Sequence, residues 1–211
     1  VLLDGAVLGS GSTGVVLAHE APADLCGWAP YATVLSRAGF RVLLFDLRGF
    51  GRSQSPTDPA KQGRFSRDLD GAVAELKRDG ARAVVLMGAS FGGITSMVAG
   101  SRLGSKIAGV VSVSGETHLG NVYGGPNSEL DAFAAVPKLH APFLVLSSQR
   151  DGYLLPSGAR ALVHAAGSPH ARLLLLPGGY HGWDLLTVAP YRNRASRAVV
   201  EFIRRYGAVS P

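Results

Sequence analysis

The 211-residue chain has a single cysteine, Cys26, so neither an intramolecular disulfide nor thiolate metal binding is available to it, and its redox compartment stays open. No apolar run approaches the roughly 18 residues of a membrane-spanning helix, and no membrane span is expected. Charged residues make up 17% of the chain against 46% hydrophobic, a balance that excludes a disordered, self-repelling chain. Asp24, Asp46, Asp68 and Asp70 lack the carboxylate spacing of a metal loop, so no metal is expected. A G-x-G-x-x-G pattern with a suitably placed acid is also missing, which argues against a dinucleotide, and no cofactor is expected. The formal charge is +6, but the basic residues are scattered (Arg37, Arg41, Arg48, Arg52, Arg64, Arg67, then Arg192, Arg194, Arg197) and form no aromatic-interleaved stripe. Nucleic acid is therefore not an expected partner. The chain begins at Val1, which reads as a native start removed together with any signal peptide. A cytoplasmic or a secreted location, and any oligomeric state, remain open.

What the chain does hold is organised around Val84-Val85-Leu86-Met87-Gly88-Ala89-Ser90-Phe91-Gly92-Gly93-Ile94. The apolar run from Ala83 to Met87 suits a strand buried on both faces, and helical spacing resumes at Ile94, Met97 and Val98. Ser90 falls on the turn between them, inside G-x-S-x-G. Gly88 and Gly92 have a mechanical reason there: a nucleophile elbow strains the serine backbone, and neighbouring side chains would collide with the packed strand and helix. A glycine-rich turn with an incidental serine is the competing reading, and the flanking periodicity argues against it.

Taken in order, residues 1–8 alternate weakly and 9–14 are turn chemistry, which predicts an edge hairpin. Residues 14–18 form an apolar and therefore central strand. Residues 31–37 suit a helix closed by Gly39, and 41–46 another strand. A helix over 66–79 carries Leu69, Val73 and Leu76 on one face and ends at Gly80. Strands are expected at 107–113, 142–148 and 171–176, with helices at 157–166 and 191–205. Residues 115–130, rich in Gly, Asn and Ser, suggest a loop over the site. The sum is one α/β domain over 1–211, with a mostly parallel central sheet, helices on both faces and no solenoid repeat.

In such sheets ligands bind outside the carboxyl ends of the strands. His19, Ser90, Asp151 and His181 all lie just past predicted strand ends, and Ser, Asp, His is the chain order of an α/β-hydrolase. On Gly88-Ala89-Ser90-Phe91-Gly92, Asp151, His181-Gly182 and the turn Asp46-Leu47-Arg48-Gly49-Phe50-Gly51-Arg52-Ser53, the chain resembles the α/β-hydrolase superfamily over nearly its whole length. It is most similar in kind to compact serine esterases, lipases or dienelactone hydrolases without a large cap domain. The D-x-R-G-x-G-x-S turn is usually structural in that superfamily.

The resemblance implies Ser90 as nucleophile, His181 as its base and Asp151 as the acid that orients and stabilises the imidazolium. Glu116, just past the strand at 107–113, is the rival acid. The oxyanion hole would use the backbone N–H of Phe91 and a second donor at Glu20 or Ala21. The family commonly has His-Gly where this chain has His19-Glu20, so the Glu20 carboxylate is expected to turn away or the loop to differ. His19 itself reads as a structural hydrogen-bonder. Trp28, Tyr123 and Tyr153 are aromatic candidates for the substrate pocket, while Trp183 and Asp184 either support His181 or simply pack.

Carboxylic ester hydrolysis through an acyl-enzyme is the expected function. Thioester, amide or lactone chemistry, or acyl transfer, are alternatives, and so is a noncatalytic ligand-binding member of the fold. A short loop or helix segment over 115–140 stands where larger members carry a cap. That predicts an open site for small esters or accessible polymer ends.

Overall fold

The computed structural model describes residues 1–119 and 128–208. Its elements run β1 (Gly5–Leu8), β2 (Thr13–Ala18), α1 (Ala29–Arg37), β3 (Arg41–Phe45), α2 (Pro59–Gln62), α3 (Ser66–Arg78), β4 (Ala83–Ala89), α4 (Phe91–Leu103) and β5 (Gly109–Val113). They continue with α5 (Ala132–Ala135), β6 (Phe143–Ser148), α6 (Pro156–Ala165), β7 (Ala171–Leu176), α7 (Asp184–Thr187) and α8 (Arg192–Gly207). Seven strands form one sheet in the order β1-β3-β2-β4-β5-β6-β7, parallel except for β1.

The hairpin expected at the start is not what forms. β1 pairs antiparallel with β3, from Gly5 opposite Phe45 to Leu8 opposite Val42, and β2 lies on the far side of β3. The turn at 9–14 therefore carries the chain across β3 instead of folding it back beside its neighbour. Strand pairing is decided by which apolar faces meet, and β3, buried along Val42 to Phe45, offers β1 a better partner than a two-stranded ribbon would be.

Consecutive strand residues are sorted to opposite faces, which is why the inner strands are apolar throughout. Val16, Leu43, Phe45, Val84, Leu86 and Val110 join one core with residues of α3, α4 and α6. Val15, Leu17, Val42, Leu44, Val85, Met87 and Val111 join the other with residues of α1, α7 and α8. The helices match these two faces. α3 buries Leu69, Ala72, Val73 and Leu76 at helical spacing, each large side chain contributing about 1.5–3 kcal/mol of transfer free energy. α4 is different, being buried nearly all round, with Gly92, Gly93, Ser96, Ala99 and Gly100 letting it sit close to the sheet.

After β3 the chain crosses back over β2 to lay down β4, so strand order reverses between those two crossings. The carboxyl ends of β2 and β4 consequently lie side by side, with those of β5, β6 and β7 following outward. That switch point is where such sheets place ligands.

Candidate active site

Ser90 joins β4 to α4 with φ 48° and ψ −114°, a left-handed conformation that a non-glycine residue adopts only when its surroundings force it. Those surroundings can be named. A Cβ on Gly88 would overlap the backbone of Gly92, and a Cβ on Gly92 would overlap the carbonyls of Ala18 and His19. The helix start is thus pressed against the end of β2, and only glycine allows it. Backbone bonds hold the turn on both sides: Ser90 N–H donates to Val113 O (2.9 Å), while Gly93 and Ile94 N–H donate to Ser90 O (2.8 and 3.1 Å). Phe91 opens α4 directly after the serine, at the helix N-terminus where backbone donors and the helix dipole favour negative charge.

At the end of β6, Asp151 is 1% exposed and gathers three donors on Oδ1: His181 Nδ1 (2.8 Å), Tyr153 N–H (2.9 Å) and Leu154 N–H (3.1 Å). Burial pushes its carboxyl pKa up, but these hydrogen bonds and the nearby Ser114 hydroxyl outweigh it and hold it below the usual carboxylate value. Oδ2 is buried and Ser114 faces the carboxylate without meeting hydrogen-bond geometry, so it lends polarity and not a formed bond. His181, on the loop after β7, experiences the reverse balance. Burial disfavours its imidazolium, while the Asp151 bond and the charges of Asp151, Glu20 and Glu116 together win and raise its pKa above the ordinary histidine value.

Two further carboxylates face this histidine. Glu116, past the end of β5, accepts a hydrogen bond from the Ser90 hydroxyl at 3.2 Å. Burial raises its pKa, against the opposing effects of Ser90 and His181. It contacts the serine and leaves the imidazole nitrogen to Asp151. The Glu20 carboxylate lies against Gly182, with Oε2 buried and without a hydrogen-bond partner, and burial pushes it up to about 7. Gly182 is needed there twice, for its φ of 56° and because a Cβ would strike Glu20 Oε2. Sequence reading weighed Glu116 only as a rival acid and missed its contact with Ser90. The available signal was its place three residues past a strand end and two after Ser114, the other non-glycine residue with positive φ (51°) among the described residues.

The loop carrying Glu20 and Ala21 is anchored from beneath. His19 is fully buried, with Nδ1 bonded to Glu20 O (2.8 Å) and Nε2 accepting from Leu47 N–H (3.0 Å). Burial lowers its pKa, and both ring nitrogens are committed to backbone. Asp46 accepts from Leu25 N–H and Arg52 N–H (both 2.8 Å), Ser53 Oγ donates to Asp46 O (2.6 Å), and Arg48 pairs with buried Asp68 at 2.6 Å. The D-x-R-G-x-G-x-S turn therefore braces the 19–28 loop and contributes no group to Ser90.

Of the aromatic candidates, Trp28 is not in the pocket. It is fully buried, donates from Nε1 to Ala18 O (2.8 Å) and packs edge-on against Trp183, whose ring in turn sits over Gly27. Tyr153 is 70% exposed, its ring centroid 4.6 Å from that of His181. Tyr123 lies outside the described residues. Asp184 begins α7. Among the described residues no group of three or more His, Cys, Asp or Glu is arranged to hold a metal ion, and no helix is long and apolar enough to cross a membrane.

Fold and site together define a mostly parallel α/β sheet with a strained serine elbow and a carboxylate-bound histidine at its carboxyl end. The family model for the alpha/beta hydrolase fold matches residues 15–127, more than half of the chain, and the chain belongs to that family. Among curated proteins it is similar to a putative non-heme chloroperoxidase of Synechocystis sp. (35% identity over 40% of this chain and 29% of that protein). It is likewise similar to the serine hydrolase BPHL of Mus musculus (32% identity over 53% of this chain and 34% of that protein). The chain thus spans about a third of the length of the curated relatives it matches. Solved structures sharing the fold include a monoacylglycerol lipase from Paleococcus ferrophilus (TM-score 0.81, 21% identity, 98% of this chain and 100% of that one). Others are a thermophilic esterase from Thermogutta terrifontis (0.78, 21%, 98% and 94%) and an enol-lactonase from Burkholderia xenovorans LB400 (0.76, 19%, 95% and 96%).

Proposed function

We propose that this hydrolase-family protein cleaves carboxylic esters through a covalent acyl-enzyme on Ser90. The observation that carries the reading is the Asp151–His181 hydrogen bond of 2.8 Å, placed at the same end of the sheet as the strained Ser90 elbow. In this scheme His181 takes the Ser90 proton through Nε2 as the hydroxyl attacks the ester carbonyl, then returns a proton to the departing alcohol. Asp151 fixes the tautomer by holding Nδ1–H and stabilises the imidazolium. The oxyanion is received by the N–H of Phe91 and by a donor of the loop at Glu20 or Ala21, which Gly92 lets approach the elbow. Before attack the Ser90 hydroxyl must turn from Glu116 toward His181, giving up a hydrogen bond worth about 1 kcal/mol net.

Small esters and accessible polymer ends are the substrates proposed, because the described part of the 115–140 segment holds only the one-turn α5 and a 3-10 turn at Val136–Lys138. A fluorophosphonate probe tests the nucleophile: wild type should be labelled and Ser90→Ala should not. Labelling of Ser90→Ala equal to wild type would remove the assignment. Chromogenic esters of graded acyl length then test the pocket, with rates expected to fall beyond short chains.

A further inference from the structure

Glu116 is not used by the scheme above, yet its Oε1 lies 3.2 Å from the nucleophile oxygen. A substituent on the Glu116 side of a scissile carbonyl held at Ser90 therefore lies near this carboxylate. Glu116 is half-buried, and the groups that bear on its charge are Ser90, His181 and Asp151. None is a lysine or arginine. Among the described residues every Lys or Arg ion pair lies elsewhere, on Asp4, Asp58, Asp68, Asp70, Asp79 and Glu75. Arg150, the neighbour of Asp151 in sequence, is not among the groups that bear on Glu116, and residues 120–127 contain neither Lys nor Arg. A carboxylate raised by burial, which among the described residues has no lysine or arginine partner and is bonded only to a neutral hydroxyl, is a poor neighbour for an anionic substrate and a good one for a cation.

We propose that Glu116 is a specificity-determining residue that selects esters bearing an ammonium group next to the scissile carbonyl and rejects those bearing a carboxylate there. The inference rests on the ester-hydrolase reading and names its substrate class. An ammonium within reach of Oε1 supplies the charge-assisted donor that the site lacks. By taking that oxygen it also releases the Ser90 hydroxyl to turn to His181. The exposed ring of Tyr153, packed beside His181, offers an aromatic face to the same cation at the mouth of the site.

Two matched substrate pairs test the proposal and distinguish the acyl side from the alcohol side. The first is alanine methyl ester, with its amine protonated, against its neutral isostere methyl isobutyrate, with monomethyl methylmalonate as the anion. The second is 2-(dimethylamino)ethyl acetate, with its amine protonated, against 3-methylbutyl acetate. The cation-to-neutral ratio of kcat/KM is compared between wild type and Glu116→Gln, so intrinsic ester reactivity cancels, and thermal melting verifies that the variant is folded. In at least one pair the ratio should fall about tenfold or more in Glu116→Gln, as expected for loss of a close, partly screened charge pair. Glu116→Asp should keep most of the preference, and the methylmalonate ester should improve in Glu116→Gln. Ratios unchanged in both pairs would overturn the proposal while leaving ester hydrolysis standing. Absence of turnover on all substrates, together with no labelling of Ser90, would instead remove the parent reading. Calorimetric titration of alaninamide and of protonated 2-(dimethylamino)ethanol into Ser90→Ala, with and without Glu116→Gln, then still decides whether Glu116 binds ammonium groups: weaker binding in the double variant supports it and equal binding refutes it.

Discussion

The two halves of the site are held by different physics. Around Ser90 the constraint is steric: carbonyls of Ala18 and His19 and the backbone of Gly92 occupy the space where side chains would stand, and no charge is involved in setting the turn. Around His181 the constraint is electrostatic, with Asp151, Glu116 and Glu20 ranged about one imidazole. Within that second half two carboxylates past adjacent strands diverge. Among the described residues Asp151 collects three donors and is held below the usual carboxylate value, whereas Glu116 has one hydroxyl and is raised. Both are desolvated, so what separates them is the number of hydrogen bonds to the charged form.

The contrast between Asp151 and Glu116 is tested most severely by neutralising each. Asp151→Asn should lower kcat on a neutral ester by about 10⁴-fold, since the amide no longer holds the productive histidine tautomer. Glu116→Gln should cost far less. A larger loss from Glu116→Gln than from Asp151→Asn would reverse the roles given to the two groups.

The steric half should answer to added atoms and be indifferent to salt. Gly92→Ala pushes a methyl group into the Ala18 and His19 carbonyls, and a destabilisation of about 1–3 kcal/mol is expected from forced backbone shifts. Chemical denaturation at low and high ionic strength would measure it. A Gly92→Ala protein as stable as wild type would mean that the close approach at the elbow is relaxed in solution.

The charged half should answer to pH. Because His181 is raised, the acid limb of kcat/KM should lie above the ordinary histidine value of about 6.5, and removing a nearby negative charge should move it down. Glu116→Gln and Glu20→Gln are each expected to shift the limb to lower pH. An upward shift in either would contradict the sign of their influence on the imidazolium.

The smallest effect is on stability. Burial raises Glu20 from 4.5 to about 7, so between those values the folded state binds more protons than the unfolded one, and its contribution to stability is lost as pH rises through that window. Glu20→Gln should therefore melt higher than wild type at pH 8 and gain nothing at pH 4. Thermal denaturation at the two pH values would check it, and an equal gain at both would point to packing instead of charge.

How much was readable beforehand follows from the range of the interactions. The strand, the elbow and the helix at 83–103 were legible in a few consecutive residues, because apolar runs, helical spacing and glycines beside a serine act locally. The placement of Asp151 and His181 past the ends of β6 and β7 could be read for the same reason. Trp28 as a pocket residue could not be judged, since whether an aromatic ring faces solvent or core depends on what lies above it. Here that is Trp183, 155 positions away in the chain.

By itself, then, the sequence determined the layered α/β pattern and the serine turn, features in which each residue constrains its neighbours. Tertiary structure alone decided that β1 pairs with β3, that Glu20 lies against Gly182, that Glu116 takes the Ser90 hydroxyl, and that His181 is raised and not lowered. Each of these compares energies between groups far apart in the chain. Burial and hydrogen bonding pull the titrating groups in opposite directions, and the outcome is set by distances that exist only once the sheet has brought its strand ends together.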